Sequence, residues 1–254
     1  MRVRLRPRCP ASTHCALFAL IYALSQLIVA LEFMHNSGVV HRDLQPSNIL
    51  FDEHGFVRVC DFNSSIVLSV QKDGRAYSSV GCPLYMSPEV VKNRGHGFAA
   101  DWWSLGCIVF EMLTGYPPFY DVDRLGCYQK VLPVLAAGCM RMAYVHLFGV
   151  FQILLGHVDC PPSMHAIAKD FALCCLRLDE KERFQTGKTD LFGNNIIRGH
   201  QWFQDIDWDD IEAKAFVPVW QPSQTLSGTM DLRCNCCRCM QFKCYFSCHL
   251  QILV

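Results

Sequence analysis

His41-Arg42-Asp43-Leu44-Gln45-Pro46-Ser47-Asn48-Ile49-Leu50, running on to Val59-Cys60-Asp61-Phe62-Asn63, is the stretch that decides the fold. It sets an aspartate and an asparagine five positions apart, then a second aspartate beyond two short apolar runs. Those runs, Ile49-Leu50-Phe51 and Phe56-Val57-Arg58-Val59, flank Asp52-Glu53-His54-Gly55 and read as a β-hairpin with a glycine-containing loop. A hairpin brings the chain back to where it started, so Asn48 and Asp61 emerge at the same end. Their side-chain oxygens suit a hard cation such as Mg2+, which takes one or two protein ligands and fills its shell with phosphate oxygens. Asp43 supplies a carboxylate able to deprotonate a hydroxyl. Phosphoryl transfer needs those two provisions, neutralised phosphate charge and an oriented nucleophile, and little covalent chemistry.

Working upstream, the first fourteen residues hold Arg2, Arg4, Arg6 and Arg8 and no acid, and an apolar run from Cys15 to Leu31 follows, broken by Ser25 and Gln26. That pattern fits a signal peptide, a membrane anchor or an organelle-targeting segment, and equally an all-round apolar helix buried in a core. Asn36-Ser37-Gly38 reads as the helix stop and Val39-Val40 as a short strand into His41. Downstream, Asp101 to Thr114 is a helical run with an acid near its start and Gly115 past its end. Ser163 after Pro161-Pro162 reads as a helix N-cap, with Met164, Ile167, Phe171 and Cys174 along one face.

The 254 residues allow one large or two modest domains, and 51% apolar with 18% charged residues is ordinary for a globular core. A formal net charge of zero argues against nucleic acid or an anionic membrane as the main partner. Of sixteen cysteines, ten are scattered and six crowd into the last twenty-one residues. The scattered set suits a reducing compartment, the cytoplasm, better than a disulfide scaffold.

The HRDL-x-x-x-N segment followed by Asp61-Phe62-Asn63 resembles the catalytic loop and metal-binding triplet of eukaryotic protein kinases. The resemblance implies Asp43 as catalytic base, Asn48 and Asp61 as metal ligands and part of the nucleotide site, and Arg42 as partner of an activation-loop phosphate. Leu50 would floor the adenine ring while serving as an ordinary core leucine. Gln45 stands where such kinases carry a lysine that reaches the transferred phosphate, and Asn63 where they carry glycine; Asn tolerates left-handed backbone better than most residues. Arg75 to Pro83 resembles an activation loop with Ser78 at the phosphoacceptor position, or else Ser78 is a solvated turn residue. Cys82 replaces a threonine that helps seat the base, and Ser87-Pro88-Glu89 stands for A-P-E. Glu89 and Arg183 occupy positions of a buried ion pair, and Asp101, opening DWWSLG, that of an aspartate tying the catalytic-loop backbone. Glu111 sits where basophilic kinases hold a substrate arginine, with Ser47 in place of their second acid. Tyr116-Pro117-Pro118-Phe119, the His200-Gln201-Trp202-Phe203 ending and Phe216-Val217-Pro218 resemble the AGC group of serine/threonine kinases, the cyclic-nucleotide-dependent kinases and their relatives.

Three pieces lie outside the resemblance. Val131 to Gln152 is a long apolar segment with one charge, Arg141, interrupting what the family keeps continuous. A retained intron read in frame, a true insertion and a membrane span are its three readings. The cysteines from Cys234 to Cys248 are zinc ligands in unusual spacing or read-through sequence. No glycine-rich loop, no V-A-I-K-type lysine and no partner glutamate precede Ile21, and twenty residues cannot hold a lobe of roughly 80.

The fold expected is mainly α with small β hairpins: a protein-kinase-like C-terminal (large) lobe over 21–220, with the N-terminal lobe missing, an unmatched 1–20 and an unmatched cysteine-rich 221–254. The family reaction is transfer of the ATP γ-phosphate to protein serine or threonine hydroxyls with Mg2+. With part of the phosphate grip gone, the chain as written is expected to be weakly active or inactive. Its alternatives are a catalytically dead pseudokinase, an interaction fragment binding a kinase or regulatory subunit, and a gene product that never folds.

Overall fold

A computed structural model describes residues 13–71, 73–119, 153–184, 195–216, 218 and 240–241. Helix α1, Thr13–Asn36, runs through the core. Leu20, Leu24, Leu27, Ile28 and Leu31 recur at three- and four-residue intervals and are fully buried, and Ala19, Ala23 and Met34 are buried beside them. Two of its polar residues are satisfied inside the protein: the Ser25 hydroxyl donates to the Ile21 carbonyl (2.7 Å) and Gln26 Oε1 accepts from the Val57 N–H (3.0 Å). Leu17–Asn36 is long and apolar enough to cross a membrane by length and composition, but here the helix packs as a core helix. It starts at Thr13, two residues ahead of the apolar run that begins at Cys15.

At the predicted stop, Gly38 adopts φ +78, and the Ser37 and Gly38 N–H groups donate to the carbonyls of Phe33 and His35 (3.1 and 2.9 Å). Four short strands follow: β1 (Val39–Val40), β2 (Ile49–Phe51), β3 (Val57–Val59) and β4 (Ile66–Val67). β2 and β3 form the expected hairpin, Ile49 opposite Val59 and Phe51 opposite Val57. Asp52 closes its turn by accepting the N–H groups of His54 (3.0 Å) and Phe56 (2.9 Å), while Gly55 supplies the left-handed residue (φ +86). β1 pairs antiparallel with β4.

Helices α2 (Pro88–Val91), α3 (Ala99–Thr114), α4 (Ala166–Cys175) and α5 (Trp208–Glu212) follow. Every residue of α3 from Ala99 to Met112 is buried, and Gly115 ends it at φ +86. α3 packs on α4 at Gly106, where a Cβ would stand 2.6 Å from that of Cys175. That close approach corrects two expectations for α4. The helix begins at Ala166 after His165, not at a Ser163 cap, and its innermost residues are Ala168, Phe171, Ala172 and Cys175. Small side chains let the helices come together, so Met164, Ile167 and Cys174 flank the contact half-buried.

A fifth strand, β5 (Met240–Gln241), pairs antiparallel on the other edge of β2, with Gln241 opposite Leu50. Part of the 221–254 tail therefore joins the hairpin's sheet. The 131–152 segment, the tail cysteines and residues 1–12 lie outside the described residues.

Two charge clusters, one buried and one partly exposed, bind distant parts of the chain. Arg183, fully buried, donates to both Glu89 oxygens (2.7 and 3.2 Å), to the Ala99 carbonyl (2.8 Å) and to the Arg177 carbonyl (3.0 and 2.9 Å), and packs on the Trp103 ring. Glu32 of α1 accepts from Asn195 (2.8 Å) and from two nitrogens of Arg198 (2.8 and 2.5 Å), and Arg198 also reaches Glu212 of α5 (2.6 Å).

Candidate active site

The loop between β1 and β2 is hung from α3 by one side chain. Asp101, wholly buried, accepts from the His41 N–H through Oδ2 and from the Arg42 N–H through Oδ1, both 2.9 Å, while His35 Nε2 meets Oδ2 at 2.9 Å. Burial pushes its carboxyl up, but the bond and charge of His35 and the two backbone N–H groups outweigh that, leaving it below the usual aspartate range. Arg42 is thereby kept at φ +68, a left-handed conformation that costs a side-chain-bearing residue about 1–2 kcal/mol.

His41 ties this loop to the segment leaving the hairpin. Its Nδ1 accepts from the Asp43 N–H (3.3 Å), so the proton sits on Nε2, which donates to the Cys60 carbonyl (3.0 Å). The Cys60 N–H in turn donates to the Asn48 carbonyl (2.9 Å). Asn48 and Cys60 thus face each other across the hairpin mouth, and Asp61 is the next residue. Asp43, Asn48 and Asp61 are brought to one end of the β2–β3 unit, as their spacing implies.

Each of the three has a defined set of partners. The Asn48 amide nitrogen donates to Asp43, to its carbonyl (2.8 Å) and Oδ2 (3.2 Å), so Oδ1, which also accepts from the Ser47 hydroxyl at 3.5 Å, is the Asn48 atom suited to a cation. Asp61 is exposed, at φ +62, with Oδ1 accepting from the Asn63 amide (2.7 Å). The left-handed residue is therefore Asp61 and not Asn63, whose contribution is a hydrogen bond. One amide oxygen and one exposed carboxylate fit Mg2+, which keeps most of its shell for water and phosphate. Asp43 Oδ1 accepts from Gln45 Nε2 (3.1 Å) and the Cys82 N–H (2.9 Å), and Oδ2 from Gln45 Nε2 (3.2 Å). Cys82 meets Asp43 through its backbone, while burial pushes its thiol pKa up.

Around this centre, Arg42 Nη1 donates to the exposed Ser78 hydroxyl (2.6 Å) and its Nε to the Ser64 carbonyl (2.6 Å). Gly81, at φ +100, lies so close to the loop that a Cβ would stand 2.4 Å from the Arg42 carbonyl. Arg75 anchors the segment before Ser78 by bonding Glu180 (2.8 Å) and the Gly95 carbonyl (2.5 Å). Glu111 is buried and its Oε2 accepts from the Tyr85 hydroxyl, whose pKa is pushed up by burial and by the Glu111 charge. Leu50, buried in β2, has β5 on its open edge. Glu89, Asp101 and Arg183 sit in the scaffold, away from solvent.

Sequence reasoning missed His41, Cys60, His35 and the Arg75–Glu180 tie. A histidine beside Asp43 was the available signal for the first; the others depend on contacts between remote segments.

Comparison with known proteins agrees with this geometry. The protein kinase domain family matches residues 13–203. The human cAMP-dependent protein kinase catalytic subunit PRKX is 33% identical over 202 residues, 80% of this chain and 48% of that protein. The cAMP-dependent protein kinase catalytic subunit of Dictyostelium discoideum is 35% identical over 201 residues, 78% of this chain and 26% of that protein. Ribosomal protein S6 kinase alpha-6 of Danio rerio is 35% identical over 210 residues, 83% and 24% respectively. The chain spans about half the length, or less, of these curated relatives. With a kinase-domain match over most of its length and AGC-type relatives at 33–35% identity, the chain belongs to the eukaryotic protein kinase family and is of the AGC type.

Proposed function

We propose that this chain is the large lobe of a serine/threonine protein kinase and carries out transfer of the ATP γ-phosphate to serine or threonine hydroxyls of protein substrates in the cytoplasm. The observation that carries the reading is the linkage Asp43–Asn48–Cys60–Asp61 at the hairpin mouth. Asn48 Oδ1 and the Asp61 carboxylate would hold Mg2+, which when bound neutralises charge on the phosphates. Asp43, fixed by the Cys82 N–H, the Asn48 amide and Gln45, accepts the proton of the incoming hydroxyl. Leu50 would support the adenine.

Turnover is weak in this proposal, because the neutral Gln45 adds no charge to a transition state whose charge lies on phosphate oxygens. A phosphate on Ser78, added by a partner kinase, would receive charge-assisted bonds from Arg42, whose Nη1 already meets the hydroxyl. Calorimetric titration with ATP tests the site: binding should require Mg2+ and be lost in Asp61→Ala and Asn48→Ala. Equal ATP binding with and without Mg2+, or in those variants, would refute the metal assignment.

A further inference from the structure

We propose that Gln45 is a positioning residue for Asp43, fixing the rotation of its carboxylate, and not a contact to the transferred phosphate; the inference rests on the phosphotransfer reading above. A residue before proline is kept out of the α region by the proline ring, and Gln45, preceding Pro46, is extended at φ −154 and ψ 160. Its carbonyl is further fixed by the Asn48 N–H (2.9 Å). From that backbone the side chain folds back two residues, and Nε2 reaches Oδ1 and Oδ2 of Asp43 at 3.1 and 3.2 Å. An ionised carboxylate only accepts, so the NH2 end of the amide must face it.

The remaining donors to the carboxylate each fix one oxygen: the Cys82 N–H holds Oδ1 (2.9 Å) and the Asn48 amide holds Oδ2 (3.2 Å). Gln45 alone spans both, so its one nitrogen resists rotation of the group about its Cβ–Cγ bond in either sense and adds to the hold of the two single-oxygen donors. The plane of the carboxylate decides which lone pair meets an arriving hydroxyl, and a general base works only within hydrogen-bond reach of the proton it takes. Gln45 is neutral and engaged by Asp43, so it acts through the base and not on phosphate oxygens.

The two roles differ in what a donor-free isostere does. The test measures transfer of radiolabelled phosphate from Mg-ATP to a serine peptide by the full chain, with kcat and KM determined separately and melting recorded. Gln45→Met keeps the length and removes the donor. It should lower kcat by about tenfold, a fraction of what a general base contributes, with both KM values and the melting temperature unchanged. Gln45→Lys, which keeps a donor and adds charge, should turn over at least as fast as the wild type. A Gln45→Met enzyme with wild-type kcat, or one that loses only ATP affinity, would overturn the positioning role. Absence of any transfer by the wild type would overturn the underlying phosphotransfer reading instead.

Discussion

Replacing Asp101 by asparagine removes one charge and one acceptor from the point where α3 carries the loop between β1 and β2. Two donors share Oδ2, His35 Nε2 and the His41 N–H, and one, the Arg42 N–H, uses Oδ1. The cheaper orientation of the new amide keeps the shared oxygen and turns NH2 toward Arg42, donor against donor. A hydrogen bond to a charged group is worth about 1.5–3 kcal/mol net, and a stranded buried N–H adds about 1–3 kcal/mol. Relaxation of Arg42 from φ +68 returns about 1–2 kcal/mol, so the loss is about 2–4 kcal/mol. Urea unfolding of Asp101→Asn measures it, and hydrogen exchange at the His41, Arg42 and Asp43 amides should accelerate because the loop is released. Phosphate transfer should fall as well, although Asp101 touches no substrate. A loss below about 1 kcal/mol with unchanged exchange would refute the view that this carboxylate holds the loop.

Arg183→Met strands the Glu89 carboxylate in the core and should cost about 3–5 kcal/mol in urea; a cost under about 1 kcal/mol contradicts a buried pair. Burial pushes the Glu89 carboxyl up, but Arg183's bonds and charge more than offset it, leaving the carboxyl below its ordinary value. Its stabilisation is therefore full above the unfolded pKa, about 4.3, and lost as pH falls through the lower folded value. Urea midpoints taken into the acid range should show Glu89→Gln with a flatter limb there than wild type. Gly106→Ala should destabilise by about 1–2 kcal/mol despite alanine's better helix propensity, because its methyl meets Cys175 at 2.6 Å; a more stable variant would mean the helices are not in close contact.

Local spacing made much of this molecule legible. The hairpin, the glycine stop after α1, the run of α3 and the convergence of Asp43, Asn48 and Asp61 follow from short-range chemistry: turn residues, helix periodicity and a five-residue interval. The core placement of α1 was one of four readings, beside a signal peptide, a membrane anchor and a targeting segment, and its burial against the other helices and strands favours it. What escaped depends on the meeting of remote segments. Glu32 and Arg198 are 166 positions apart and Arg75 and Glu180 105 apart, and neither pair has a local signature. The innermost face of α4 was misjudged because side-chain size ranks apolar residues, whereas close helix approach at Gly106 selects small ones. The pairing of β5 with β2 could not be read from a cysteine-rich tail, since a two-residue strand carries no alternation to detect.

The most direct test of the account is phosphate transfer from Mg-ATP to a serine-containing protein or peptide by the full chain and by Asp43→Asn. The account predicts a low but measurable rate that falls by about 10²-fold or more in the variant, as loss of a general base requires. Transfer at an equal rate by both would contradict it.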